Sequence, residues 1–143
     1  MGAEDSQLGV LRLSLYVLDT TVLIGHLRGD AVISDFLLGL LAQQHSLGTT
    51  CVNVAEVERG IRPRERGPAD AWLSRLRYVE TTREAAARAG RYQAEFERRG
   101  RTLHTADALV AGTARAHGAI LLTDNVRDFP MRDLRVEAPP AES

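Results

Sequence analysis

Residues 14–29, SLYVLDTTVLIGHLRG, hold the pattern from which the rest of the chain can be read. The first five residues are apolar and β-prone, the run stops at Asp19-Thr20-Thr21, and VLIGHLRG then reads as a short helix closed by Gly29. A buried strand thus feeds a helix through an acidic, hydroxyl-rich turn. The pattern recurs at residues 47–52, which run into Asn53 and a helix, VAEVERGI, ended by Gly60 and Pro63. It recurs in part at residues 119–123, AILLT, a strand ending at Asp124 and Asn125.

The intervening segments are helical. Ile33, Phe36, Leu37, Leu40 and Leu41 follow the i, i+3, i+4 spacing behind Asp30, a suitable N-cap, and Leu38 falls off that stripe and widens the apolar face. An apolar face wider than one core needs predicts either a partner surface at Leu38 or a helix buried on two sides within its own domain. Pro68 can open a helix through Leu76, a brief strand follows in RYVE, and Thr82 caps a long helix reaching about Arg99. Gly100 breaks it; Thr105 then caps ADALVAGTARAH, which Gly118 closes. Short strands alternating with helices predict an α/β fold: a parallel sheet covered by helices on both faces, with right-handed crossovers. Residues 1–13 read as an N-terminal extension, 14–137 as one domain and 138–143 as a flexible tail.

A chain of 143 residues, 44% hydrophobic and 26% charged, fits one soluble core and excludes the disordered and membrane classes. The formal net charge of -1 excludes an overall basic nucleic-acid binder, so any RNA contact must be a local patch. All 18 basic residues are Arg, the fork that suits phosphate, although codon usage in a GC-rich genome is the simpler account of the bias. Cys51, the single cysteine, lies in an apolar run and reads as a buried, inert thiol; no intramolecular disulfide or multi-thiolate zinc site can form. Neither a signal peptide nor a membrane-spanning run is evident, so a cytoplasmic location without membrane association is expected.

In open α/β sheets ligands bind beyond the carboxyl ends of the strands. Those positions here hold Asp19, then Asn53 with Glu56, then Asp124 with Asn125; Asp107 joins from the first turn of its own helix, and Asp128 follows the last strand. Each alone is explained by capping or by the helix dipole. Gathered at one sheet edge they repel: two carboxylates about 4 Å apart cost on the order of 4 kcal/mol at an effective dielectric of 20. A divalent cation offsets that repulsion, and oxygen ligands favour Mg²⁺, with Mn²⁺ as a substitute, over zinc. His26, His45, His104 and His117 show no ligand spacing and read as structural or incidental.

The strings VLDTTVLI, NVAEVERGI and TADALVAGTARAHGAILLTDNVRDF resemble, in order, the three signature regions of VapC-type PIN domains, from about Leu15 to Phe129. The resemblance implies a three-layer α/β/α fold with a central, mostly parallel sheet, Mg²⁺-dependent RNA cleavage leaving 5′-phosphate and 3′-hydroxyl ends, homodimers, and inhibition by a small cognate antitoxin. The family's three acids fall on Asp19, Glu56 and Asp107. Thr123 and Asn125 match the pattern after the last strand, but Asn125 stands where some members carry a fourth carboxylate, so Asp124 or Asp128 is the local substitute and a second metal ion is left open.

A carboxylate-held Mg²⁺ can neutralise a phosphate oxygen and acidify a water. Asp19 and Asp107 are the expected ligands and Glu56 a further ligand or the base for the attacking water, with Asp124, Asn125 and Asp128 polarising the surrounding waters. Arg59, Arg62, Arg64 and Arg66 follow Glu56, and Arg98, Arg99 and Arg101 precede Asp107; these are the candidate phosphate contacts. Thr20, Thr21 and Thr123 are supporting donors near the metal. An aspartyl-phosphate phosphatase is disfavoured, since Thr21 stands where that chemistry needs a second Asp and no Lys is present. The other alternative is a catalytically weak PIN scaffold that binds RNA or a protein partner; metal-dependent RNA cleavage separates the two.

Overall fold

The computed structural model describes residues 12–141. In chain order these form β1 (Leu15–Leu18), α1 (Thr20–Leu27), α2 (Ala31–Ala42), β2 (Ser46–Thr49), α3 (Cys51–Gly60), a 3-10 turn (Pro63–Glu65) and α4 (Arg66–Ser74). They continue as β3 (Arg77–Tyr78), α5 (Arg83–Arg98), α6 (Thr105–Ala116), β4 (Ile120–Leu122), a second 3-10 turn (Val126–Asp128) and β5 (Val136–Glu137). The strands pair in the order β3-β2-β1-β4-β5, every pair parallel. From β1 the chain steps outward to β2 and β3, then returns to β4 on the other side of β1. The β1–β4 boundary is therefore the point where strand order reverses, the place at which such sheets open a ligand crevice.

The period-two alternation of the strands divides the interior into two cores. Tyr16, Leu18, Ile120 and Leu122 join Val22, Leu23, Leu37, Leu40 and Val57 on the α1–α4 side. Val17 and Leu121 join Ala89, Phe96, Ala111 and Ala114 on the α5–α6 side. Helices therefore cover both faces, which is why the strands read as continuous apolar runs. α5 and α6 approach so closely that a Cβ on Gly112 would run into the Ala85 carbonyl oxygen and sit 3.0 Å from Ala89 N.

Most helix ends follow the sequence reading. Asp30 caps α2 by accepting from Ile33 N at 3.1 Å, and Thr82 caps α5 by accepting from Ala85 N at 3.1 Å. Gly29, Gly100 and Gly118 take positive φ just beyond α1, α5 and α6.

Four details differ. β2 ends at Thr49, and Thr50 caps α3 by accepting from Asn53 N at 3.3 Å, so Asn53 lies inside the helix rather than at a strand end. Cys51 consequently occupies the first turn of α3 and is exposed, not a buried thiol. His104, not Thr105, is the N-cap of α6, and it makes no side-chain capping bond. Within the expected tail Pro139 is buried, lining a cleft of about 290 Å³ with Asp30, Ile33 and Asp124. Among the described residues no helix is long and apolar enough to cross a membrane.

Candidate active site

Asp19 sits where β1 ends, and parallel pairing with β4 brings Thr123 beside it. Asp19 N donates to the Leu122 carbonyl at 2.9 Å, extending the ladder by one residue, and Thr123 Oγ1 donates to Asp19 Oδ2 at 2.6 Å. The other carboxylate oxygen caps α1 by accepting from Thr20 N at 2.9 Å and also receives Asn53 Nδ2 at 3.4 Å. Asp19 is thus a buried carboxylate, 8% exposed, held by donors from three elements.

α3 carries the next acid. Glu56 Oε1 accepts from Thr20 Oγ1 at 2.6 Å, and Thr20 Oγ1 in turn accepts from Asn53 Nδ2 at 3.1 Å. From α6, Asp107 faces the same crevice. Burial pushes its carboxyl above the ordinary value, and the charges of Asp19, Asp128 and Glu56 push it further in the same direction; His104 opposes them. Asp19 is likewise raised, first by burial and then by Glu56, against the hydrogen bonds from Thr123, Thr20 and Asn53. Asp107 therefore feels carboxylates from three other segments, Asp19, Glu56 and Asp128.

The segment after β4 is divided. Asp128, in the second 3-10 turn, acts on Asp107, whereas Asp124 lines the cleft shared with Asp30 and Pro139. Asn125 is exposed and its main-chain N–H donates to Thr123 Oγ1 at 3.0 Å. Thr21 is exposed on the first turn of α1.

The candidate arginines are all exposed. Arg59, at the end of α3, and Arg64 are exposed. Arg62 N donates to Glu65 Oε1 at 2.8 Å, and Arg66 pairs with Glu58. Glu65 is held at about 2, chiefly by a hydrogen bond from Arg28, which reaches it with Nε at 3.1 Å. Arg98 is exposed; Arg99 lies 3.5 Å from Glu95 and over the Phe96 ring. Arg101 alone is tied to the rim, donating to the Arg127 carbonyl in the turn that carries Asp128.

Two contributors escaped the sequence reading. His104, the N-cap of α6, acts on Asp107 against the neighbouring carboxylates; its place three residues before Asp107 was the available signal. Asn53 was read as a strand-end cap, and its bonds to Asp19 and Thr20 depend on α3 packing against α1.

Among the described residues the acids of the site, Asp19, Glu56, Asp107 and Asp128, offer carboxylate oxygens, a ligand type that suits a hard divalent cation. Among the described residues no three His, Cys, Asp or Glu side chains are gathered as a ready-made metal cage. The carboxylates form an open cluster.

Comparison with known proteins agrees with this geometry. The PIN domain family model matches residues 16–133. Ribonuclease VapC19 of Mycobacterium tuberculosis is 30% identical over 115 residues, spanning 80% of this chain and 92% of that protein. Ribonuclease VapC10 of the same organism is 32% identical over 117 residues, spanning 82% and 87%. Among solved structures, VapBC2 from Rickettsia felis bound to a promoter DNA fragment superposes with a TM-score of 0.77 at 23% identity, covering 87% of this chain and 98% of that one. DNA-bound VapBC from Salmonella typhimurium gives 0.76 at 24% identity, covering 90% and 100%. With its acids arrayed at the β1–β4 crevice, the chain belongs to the PIN-domain family, among the VapC ribonucleases.

Proposed function

We propose that the protein is a Mg²⁺-dependent endoribonuclease, the cytoplasmic toxin of a toxin–antitoxin pair. One observation carries the reading: the buried Asp19 carboxylate and Glu56 meet on Thr20 at the end of β1, through Thr20 N and Thr20 Oγ1, with Asp107 near enough to feel both and Asp128. A carboxylate set beside others of like charge is costly to keep ionised unless a cation joins them. Asp19 and Asp107 would hold the ion, with Glu56 as a further ligand or as the proton acceptor for the attacking water. The chemistry supplied by such an ion, when bound, is neutralisation of a phosphate oxygen and acidification of water.

The chain's own groups do the rest. Thr123, Thr20 and Asn53 keep Asp19 aimed at the crevice, and Asp128 and Asn125 face solvent at its mouth, where a phosphodiester enters. Arg101 stands nearest that mouth, and Arg59, Arg62, Arg64, Arg66, Arg98 and Arg99 are phosphate contacts farther along the strand. The relatives are named ribonucleases and the structural neighbours are toxin–antitoxin complexes, which supports RNA as substrate and an antitoxin as partner. The chain would act as a homodimer, as the resemblance to VapC-type PIN domains implies.

The apolar face supports the partner. Leu38 is 60% and Leu41 46% exposed, beside a cleft of about 260 Å³ lined also by His26 and Trp72. Exposed apolar area of this kind marks an interface. Leu38→Glu should weaken dimerisation or antitoxin binding while leaving the melting temperature unchanged. For the nuclease itself, purified protein incubated with RNA should produce 5′-phosphate ends with Mg²⁺ or Mn²⁺ and none with EDTA. Intact RNA under every metal would leave a binding scaffold in place of the enzyme.

A further inference from the structure

Asn53 is fully buried inside α3, a costly place for a primary amide unless its groups are bonded. Thr50 Oγ1 accepts from Asn53 N at 3.3 Å and donates to Asn53 Oδ1 at 2.7 Å, which turns the amide oxygen toward Thr50. The NH₂ group is left to face Asp19 Oδ1 at 3.4 Å and Thr20 Oγ1 at 3.1 Å. Thr20, accepting there, spends its own hydrogen on Glu56 Oε1 at 2.6 Å.

The bonds run one way, from Thr50 through Asn53 and Thr20 to Glu56, with a branch to Asp19. Reversing the amide would set its carbonyl oxygen against the Asp19 carboxylate. Thr20 would then have to donate to Asn53, and Glu56 would lose its donor. An amide suits this position because it offers two N–H donors to acceptors on different elements, which neither a hydroxyl nor a carboxylate can do.

We propose that Asn53 is a positioning residue of the acidic site, orienting Asp19 directly and Glu56 through Thr20. The effect on rate rests on the ribonuclease reading; the orientation itself does not. Val22, Leu23 and Val57 share one apolar core that holds α1 to α3, so removing the amide should disturb the carboxylates before the fold.

The test uses the whole protein, a single-stranded RNA oligonucleotide and saturating Mg²⁺, with wild type, Asn53→Ala, Thr20→Val and the double variant. Asn53→Ala should lower kcat about 10- to 100-fold, the usual effect of losing a group that orients a ligand. KM should stay within about twofold, since no RNA contact is removed. The double variant should fall no further than the worse single variant, because both break one chain of bonds. Losses that multiply, or a loss confined to KM, would overturn the proposal. Should Asn53→Ala fail to fold, Thr20→Val carries the test, and an unchanged kcat there overturns it.

A second measurement does not depend on activity. The Asn53 side-chain NH₂ resonances should exchange slowly with solvent and shift in both Thr20→Val and Asp19→Asn. Resonances that move in neither variant overturn the proposal whether or not RNA is cut. Wild-type protein that leaves the oligonucleotide intact would overturn the ribonuclease reading instead, with the NMR result still deciding the role of Asn53.

Discussion

The two halves of the acidic crevice are built differently. On the β1 side Asp19, Asn53 and Thr123 are all buried, and the Asp19 carboxylate is satisfied by donors from α1, α3 and the end of β4. On the far side Asp124, Asn125 and Asp128 are exposed, in a turn attached to Thr123 through the Asn125 main-chain N–H. The first half is positioned by the protein before any ligand arrives. The second is a turn held by main-chain bonds, with its acidic side chains exposed to solvent. Charge removed from the fixed half should therefore be irreplaceable, while changes at the rim should be graded by which side chain faces Asp107.

The largest effect is expected at the centre. Asp19→Asn or Asp107→Asn should reduce RNA cleavage at least about 10³-fold, several kcal/mol of lost charge stabilisation, with circular dichroism unchanged. Single-turnover cleavage checks this; activity near wild type in either variant would remove the carboxylates from the chemistry.

At the rim, Asp128→Asn should cost about 10- to 100-fold, as loss of a supporting carboxylate does, and Asp124→Asn should stay within about threefold. The contrast follows from position, since Asp128 acts on Asp107 and Asp124 points to the cleft with Asp30 and Pro139. Equal losses in the same cleavage assay would mean that the turn rearranges on binding RNA.

A smaller change is expected from Asn125→Asp. It should tighten Mg²⁺ binding about three- to tenfold by adding a hard anionic ligand. Isothermal titration calorimetry reads this directly, and an unchanged affinity would place residue 125 outside the ion's reach.

The smallest effect concerns stability without metal. Asp107 has a folded-state pKa raised above its ordinary value of 3.8 by burial and by its neighbours' charges. With the folded value above the unfolded one, ionisation costs the native state stability as pH rises past the unfolded value. Asp107→Asn should accordingly raise the melting temperature of EDTA-treated protein at neutral pH, and the gain should vanish below the unfolded pKa. Thermal melts at pH 7 and pH 3 compare the two; a variant less stable at pH 7 would mean that Asp107 is not under repulsion.

What the sequence settled by itself was largely local or periodic. Apolar runs ending in Asp19 and Asp124, glycines at positions 29, 100 and 118, and the caps Asp30 and Thr82 rest on contacts within a few residues, where spacing alone carries the information. The resemblance added the family order of Asp19, Glu56 and Asp107. Boundaries set by competition were harder. Thr50 and Asn53 are both good caps, and the choice fell to Thr50 because β2 pairs with β1 as far as Gly48 and with β3 as far as Thr49, where the strand ends. That choice exposed Cys51 and buried Asn53. Tertiary structure alone decided which side chains meet. Thr123 reaches Asp19 from 104 positions away only because β4 returns to pair with β1, and Asp128 rather than Asp124 acts on Asp107 because the 3-10 turn carries it back over the crevice. Spacing along the chain holds no record of such contacts, since they depend on strand order and on the packing of helices against each other.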